Sequence, residues 1–385
     1  MIEPYLTGSV AQALERARQL IQIVQGQYPR EYDGLRQICL VRLDGIRREL
    51  LGLAQESIVD PRFQTPRRVR HLKRIMEQLS ATESVGVFAL SRTRSDDDFL
   101  NRLITTICDD IAYPLIRPTI SQMSQDYFHI YTEFNLLCMP LIEGRFLLHL
   151  PDIYHELCHP LHRPQNADLP SLEAYHDSYG NSLFTVSEHF NEEIVAAERL
   201  KSPPGKLYHL QLWRTCWIKY WMEEFFCDLF GVLTAGPAFA WAHFHLCVER
   251  GGDPFVTPMT FSSSHPADAA RMKAMLKMLT AMRFASEAKA ISAAWSDFEA
   301  VIEARPSPEY ARCYADGILL QIVDSARQGV PTMGVKVASP GSMTSTVSML
   351  NDAWAQFWRD PAKYASWEAK KVEALRSGSG GTKAS

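Results

Sequence analysis

The chain contains 385 residues, a length that can form two or three subdomains around a large core. Hydrophobic residues make up 46% and charged residues 22%, as in ordinary globular proteins, and the net charge of −4 gives no reason to expect nucleic acid as a partner. The amino terminus lacks a basic stretch followed by an apolar core, and no apolar run reaches about 18 residues, so neither a signal peptide nor a membrane span is expected.

The first 125 residues are predicted to be mainly helical. Apolar residues recur at three- and four-residue spacing in Val10–Val24 and Leu35–Leu53, with charged residues on the other face. A short strand is expected at Val85–Leu90. The acidic residues after Ser95 favour a helix start, because they lie at the positive end of the helix dipole.

The pattern turns toward β-structure between Tyr127 and Leu150. Tyr127–Tyr131 and Phe134–Met139 are candidate strands, rich in aromatic and aliphatic residues. Asn135–Met139 is a candidate sheet edge to which an extended substrate adds by backbone hydrogen bonds. An interior strand without substrate contact is the alternative.

The most informative stretch runs from His155 to His159 and reads H-E-L-C-H. Pro151 and Asp152 are expected to open its helix as first-turn proline and acid. Residues four apart share a helix face, so both imidazoles can bind one metal ion, and Glu156 is placed to act as base toward a metal-activated water. This combination is typical of zinc hydrolases. A chance match on an amphipathic helix is the alternative.

Pro160 directly follows the second histidine. It removes one amide from the helix, crowds the carbonyl of Glu156 and biases His159 away from helical backbone angles. The helix is therefore expected either to kink in its last turn or to end at His159. Residues 163–183 are predicted to form a long loop, placed over the cleft.

A third metal ligand is predicted in the apolar segment Leu212–Leu233, which is expected to be a buried helix. Carboxylates in such a helix are costly unless they are paired or bind a metal. Glu224 and Asp228 are four apart, so Glu224 can bind the ion while Asp228 accepts a hydrogen bond from a ligand histidine. A buried ion pair with Arg or Lys is the alternative. Glu192-Glu193 is a rival ligand on a more polar segment without a following aspartate.

A further element is Ser264-His265-Pro266, with Arg271 six residues after the histidine. H-E-x-x-H followed by E-x-x-x-D on a later helix resembles the gluzincins, the thermolysin-like zinc peptidases. The added His-Pro and Arg resemble the CAAX prenyl endopeptidases and their heat-shock-induced bacterial relatives, which differ in being membrane-embedded. The resemblance covers residues 155–271.

The resemblance implies a role for each matching residue. The zinc ligands would be His155, His159 and Glu224, with Glu156 as general base and Asp228 orienting a ligand histidine. His265 would steady the transition-state oxyanion, and Arg271 would be a structural or site-lining cation.

The sequence thus predicts a mainly helical α+β protein with a zincin-like metallopeptidase core at residues 126–285. Helical additions are expected at 1–125 and 286–376, with one last helix at Thr344–Arg376 and a disordered tail at 377–385. The eight cysteines form no C-x-x-C pair and are interpreted as reduced core thiols, in keeping with a cytoplasmic location.

The predicted function is a Zn²⁺-dependent metalloendopeptidase that cleaves a protein or peptide substrate, with a regulatory protein as a further partner. Three alternatives stay open. The chain could be a catalytically silent zincin-like binding or regulatory protein, a zinc hydrolase of a non-peptide amide, or a helical scaffold whose motifs are ion pairs.

Overall fold

The computed structural model describes residues 2–56, 61–93, 95–124, 127–141, 143–163, 166 and 168–378. The chain forms two units, one made of residues 1–105 and 116–141 and the other of residues 106–115 and 142–385. Helices dominate and one small sheet is present, so the prediction of a mainly helical α+β protein is confirmed. The predicted division into an N-terminal region, a core and a C-terminal region stays a prediction.

The first unit is built on amphipathic helices whose apolar faces form its core. These helices are α1 (Ile2–Val24), α2 (Asp33–Gln55), α3 (Pro61–Ala81), α4 (Phe88–Ser91) and α5 (Ser95–Asp110), whose last residues belong to the second unit. Leu35, Leu43 and Leu50 of α2 are buried at the spacing that the sequence shows. The helices predicted at Val10–Val24 and Leu35–Leu53 are confirmed.

The strand predicted at Val85–Leu90 is wrong. Thr82–Val87 forms a π-helical turn that joins α3 to α4. A short apolar run does not distinguish a buried helix from a buried strand, because both have a mainly apolar sequence. Gly86 permits close packing here, because a Cβ at this position would lie 2.5 Å from the Cys39 sulfur of α2.

The sheet of the first unit has three short strands, β1 (Thr119–Ser121), β2 (His129–Tyr131) and β3 (Leu136–Cys138). The order is β1-β3-β2, with β3 parallel to β1 and antiparallel to β2. Two of these strands lie within the predicted segments, and β1 was not predicted.

β3 is the central strand and pairs on both sides, so it has no free edge. The predicted substrate edge at Asn135–Met139 is therefore wrong, and the alternative of an interior strand is correct. Leu136 and Leu137 are fully buried. Apolar side chains indicate that a strand is buried, but they do not distinguish an interior strand from an edge strand that is covered.

Among its described residues, the second unit consists of helices joined by turns and loops, without a named strand. Its helices are α6 (Asp152–Glu156), α7 (Glu173–Arg199), α8 (Pro204–Cys216), α9 (Met222–Ala235), α10 (Pro237–Arg250), α11 (Asp268–Ala281), α12 (Ala285–Val301), α13 (Pro308–Cys313), α14 (Asp316–Thr332), α15 (Ser345–Arg359) and α16 (Pro361–Gly378).

Two boundary predictions in this unit are wrong. The loop predicted at 163–183 ends early, because a 3₁₀ turn at Pro170–Leu172 leads into α7 at Glu173; residues 164, 165 and 167 lie outside the described part. The single helix predicted at Thr344–Arg376 is two helices, because Pro361 cannot continue α15 and instead begins α16.

The predicted tail begins two residues too early. Ser377 and Gly378 belong to α16, whereas residues 379–385 lie outside the described residues. All eight cysteines are buried and free. Among the described helices, none has both the length and the apolarity needed to cross a membrane.

Helix α9 is the central element of the second unit and packs against α6, α10, α11 and α14. It continues from α8 through a π-helical turn at Trp217–Trp221, a feature that often occurs at functional sites. The Trp217 ring stacks on Phe225, with 4.9 Å between the ring centroids. This packing fixes the helix turn that carries Glu224 and Asp228.

Candidate metal centre

The H-E-x-x-H segment is an α-helix that tightens into a 3₁₀ turn. The Leu157 amide still bonds to the Ile153 carbonyl at 3.0 Å, but the Cys158 amide bonds to the His155 carbonyl, one residue closer. Pro160 has no amide to give to Glu156, which is the physical reason for this change. The two histidine rings nevertheless stay together, with centroids 5.1 Å apart.

Both imidazoles are held at Nδ1 by a carboxylate. His155 Nδ1 lies 3.0 Å from Asp228 Oδ1, and His159 Nδ1 lies 2.8 Å from Glu223 Oε1. Carboxylates in this position fix the tautomer and ring orientation of metal-binding histidines. Each ring therefore has its Nε2 available as a ligand.

The two Nε2 atoms face the two carboxylate oxygens of Glu224. His155 Nε2 is 3.6 Å from Oε2, and His159 Nε2 is 4.0 Å from Oε1. Bonds of about 2.0–2.2 Å around a tetrahedral zinc place neighbouring ligand atoms roughly 3.3–3.6 Å apart. The first distance falls in that range, and the second needs a closure of about half an ångström. The three predicted ligands are thus neighbours, but each histidine faces a different oxygen of Glu224. No choice of one atom from each of the three residues lies within 4.8 Å of the other two, so a shared ion would require a small local adjustment.

Cys227 offers a second choice of ligand. Together with His155 and His159 it can present ligand atoms that all lie within 4.8 Å of one another. However, its sulfur lies 3.6 Å from His159 Nδ1, the nitrogen that already bonds to Glu223. Binding through Cys227 would cost that hydrogen bond, so Glu224 is the better third ligand.

Asp228 joins His155 to a buried cation. Its side chain is fully buried and accepts two hydrogen bonds from Arg271, at 2.7 Å from Nε and 2.6 Å from Nη2. Although burial opposes it, the charge of Arg271 holds the pKa of Asp228 below its usual range. Asp228 is therefore an anion that accepts a hydrogen bond from His155 Nδ1, while Arg271 donates two hydrogen bonds to the same carboxylate.

Glu156 is the carboxylate of the centre that has no partner. The residue is 8% exposed, and its side chain forms no hydrogen bond or ion pair with any described residue. Its carboxylate oxygens are not among the fully buried polar atoms that lack a partner, so solvent reaches them. Burial lowers the pKa of His159, but its hydrogen bond to the Glu223 carboxylate and the charge of Glu156 raise it above its ordinary value. Glu156 therefore lies near His159 and has no hydrogen bond to another described residue.

His265 lies at the exposed rim of the centre, with 64% of its side chain accessible to solvent. Its Nε2 is 3.8 Å from Glu224 Oε2, and its Nδ1 is 2.9 Å from the Ser264 hydroxyl. The loop that carries it is tied to the preceding helices, because the Trp221 indole donates to the Ser263 carbonyl at 2.9 Å. The loop thus presents one imidazole nitrogen toward the Glu224 side of the site.

The contacts that hold His159 were not predicted from the sequence. Arg163 donates to Glu223 at 2.8 Å, and Glu223 in turn holds the imidazole. The adjacent pair Glu223-Glu224 in an apolar helix was the available signal. Spacing alone did not show that Glu223 faces Nδ1 of the His159 ring while Glu224 faces Nε2.

The centre carries more negative than positive charge. The charged side chains around the two histidines are Glu156, Glu223, Glu224 and Asp228 on one side and Arg163 and Arg271 on the other. Four carboxylates against two guanidinium groups leave −2 when the histidines are neutral. Such a balance favours a divalent cation.

Protonation of His155 is the competing way to balance this charge. Although burial opposes it, contacts with Asp228 and Glu224 raise the pKa of His155 well above its ordinary value. Burial raises the pKa of Glu224, but His155 more than offsets this and lowers it to about 2.

Phe239 of α10 supports the centre from another direction. Its ring stacks on His155 with 6.2 Å between centroids, and it packs against Gly231 of α9. A Cβ at Gly231 would lie 2.8 Å from the Phe239 ring, which is too close for an unchanged structure.

Gly231→Ala is therefore expected to destabilise the protein by about 1–3 kcal/mol, because the Phe239 ring must move. Gly180→Ala in α7 is the matched control, since a Cβ there meets nothing within 4 Å. It should be neutral or stabilising by up to about 1 kcal/mol through helix propensity. Urea unfolding of both variants measures the difference, and equal stability would contradict the packing argument.

No protein-family model, curated protein or solved structure matches the chain. The resemblance to the gluzincins therefore depends on the motif residues alone.

Proposed function

We propose that this protein is a Zn²⁺-dependent metalloendopeptidase of the gluzincin type, with a zincin-like core, that acts in the cytoplasm. One observation carries the proposal: His155 and His159 both turn Nε2 toward Glu224 while separate carboxylates hold each Nδ1. When bound by these three residues, Zn²⁺ would lower the pKa of a water and polarise a substrate carbonyl.

Glu156 is the residue proposed to move the proton. It accepts a proton from the attacking water and later passes it to the leaving amine, which requires an acceptor with no competing partner. Its free and nearly buried carboxylate meets that requirement. Asp228 and Glu223 do not, because each is committed to a histidine and an arginine.

His265 is proposed to stabilise the developing oxyanion by donating from Nε2. The Ser264 hydroxyl at Nδ1 is compatible with this tautomer, in which the hydroxyl donates to Nδ1 and the proton is on Nε2. The exposure of the ring leaves room for a substrate to approach.

The proposed substrate is a protein or peptide, and a regulatory protein is a second proposed partner. The described residues of the second unit contain no strand, so nothing here supports backbone addition of a substrate to a sheet edge. Side-chain recognition at the rim of the site is the binding mode that we propose instead.

His155→Ala and Glu224→Ala are each expected to lower the bound zinc by one equivalent per chain, because each removes one of three ligands. Metal content after dialysis against a zinc buffer measures this by mass spectrometry. The matched control is Glu193→Ala in α7, which removes the rival carboxylate and should retain all zinc. Unchanged zinc in His155→Ala, or loss in Glu193→Ala, would contradict the ligand assignment.

A further inference from the structure

A second cluster of metal-binding side chains lies outside the proposed centre. His149, His245 and Glu249 each offer a ligand atom, and these atoms lie within 4.8 Å of one another. The two imidazole rings face each other, with centroids 5.0 Å apart. None of these residues takes part in the chemistry proposed above.

The backbone explains how the cluster assembles. His245 and Glu249 are four apart on α10 and therefore share a helix face, with His245 Nε2 at 3.2 Å from Glu249 Oε1. His149 comes from the segment just before α6 and faces them. A shared ion would thus connect two parts of the chain that are about 100 residues apart in sequence.

Glu143 is an independent sign of a built site. Its carboxylate contacts His149 Nδ1, and only 17% of its side chain is exposed. A carboxylate at one imidazole nitrogen orients the other nitrogen toward a metal. Asp228 and Glu223 do the same for His155 and His159 in the first centre.

The pKa values of the two imidazoles shift in opposite directions. Burial lowers the pKa of His149, but Glu143 more than offsets this and raises it. Burial lowers the pKa of His245 below its ordinary value, and Glu249 only partly offsets this.

We infer that His149, His245 and Glu249 form a second metal site for a first-row transition-metal dication such as Zn²⁺, with Glu143 positioning His149. Two imidazoles and a carboxylate suit such ions, whereas Mg²⁺ and Ca²⁺ prefer oxygen ligands alone. The ion links α10 to the segment that leads into α6. Because Phe239 of α10 stacks on His155, this site stabilises the surroundings of the first centre.

The test is a zinc titration of the full chain after chelator treatment, with a competing chromophoric chelator. Wild type should bind two equivalents, whereas His245→Ala and His149→Ala should each bind one. Glu143→Gln should keep both but bind the second about 10–100-fold more weakly. The matched control is His71→Ala, which removes a histidine that contacts one carboxylate, Glu49, at 3.1 Å and has no histidine partner.

The variants separate the two proposals. Loss of one equivalent in His155→Ala but none in His245→Ala would overturn the second site and leave the first. Loss of one equivalent in His245→Ala but none in His155→Ala would overturn the first centre and leave the second. Circular dichroism establishes that each variant is folded, and Glu249→Gln, whose side chain is 54% exposed, repeats the test with little structural perturbation.

Cobalt substitution identifies the ligands. Co²⁺ at the second site should show d–d bands without a thiolate charge-transfer band, because the site contains nitrogen and oxygen ligands only. A thiolate band that survives in His155→Ala and accompanies the second equivalent would overturn the assignment. It would place that ion at one of the buried cysteine clusters, such as Cys158 with Cys227 or Cys247 with His243.

Discussion

Glu156→Gln is expected to fold, retain its zinc and lose peptide hydrolysis by about 10²–10⁴-fold, the usual contribution of a general base. The amide keeps the size and shape of the side chain but cannot accept a proton at neutral pH. Because Glu156 forms no hydrogen bond or ion pair with a described residue, its replacement breaks no structural interaction. This variant should therefore lose activity while its stability stays close to that of the wild type.

The measurement has two steps. A proteome-wide cleavage screen that compares wild type with Glu156→Gln finds substrates, and kcat/KM on one validated peptide then measures the loss. Zinc content and unfolding midpoint are recorded on the same samples. His265→Ala serves as the comparison variant, with an expected loss of roughly 10²–10³-fold, as for one oxyanion donor.

The possible outcomes separate the functions. Near wild-type cleavage by Glu156→Gln would overturn the proposed mechanism. Absence of any cleavage by zinc-loaded wild type would favour a silent zincin-like binding protein. Turnover of small amides but not of peptides would favour a non-peptide amide hydrolase.

The parts of the site that the sequence predicted depend on short-range geometry. A helix places residues four apart on one face whatever surrounds it, so the pairing of His155 with His159 and of Glu224 with Asp228 follows from spacing. The cost of burying carboxylates in an apolar helix then indicates a partner. The structure brings three pairs of these residues to 4.0 Å or less: His155 with Glu224, His155 with Asp228, and His159 with Glu224.

The parts that the sequence did not predict depend on long-range packing. Glu223 and Glu224 are chemically identical neighbours, and only the orientation of α9 decides which faces Nδ1 and which faces Nε2 of His159. The same holds for β3, whose apolar residues fit an edge or a central strand equally well. Pro160 predicted a disturbed helix end correctly, because its effect on the backbone is local.

The buried pair of Asp228 and Arg271 is the interaction whose loss should cost most stability. Asp228 is fully buried and Arg271 is 7% exposed, and two hydrogen bonds of 2.7 and 2.6 Å join them. Removing one partner leaves the other as an uncompensated buried charge, which typically costs about 3–5 kcal/mol. Asp228 also holds His155, so the same change disturbs a proposed ligand.

Asp228→Ala is therefore expected to destabilise the second unit by about 3–5 kcal/mol in the presence of a chelator, where zinc cannot contribute. All eight tryptophans lie between Trp213 and Trp367, so their fluorescence during urea unfolding reports on this unit. The matched control is Asp324→Ala in α14, whose carboxylate is 3.5 Å from Arg327 at the exposed surface. That pair should contribute no more than about 0.5 kcal/mol.

A double variant tests the reason for the loss. If the uncompensated Arg271 charge causes most of it, adding Arg271→Met to Asp228→Ala should recover part of the stability, because an apolar chain replaces the buried cation. In the presence of zinc, Asp228→Ala should in addition bind the metal about 10–100-fold more weakly, since the orientation of His155 is lost. A loss of stability no larger than that of Asp324→Ala would show that Asp228 does not bridge a buried arginine and a ligand histidine.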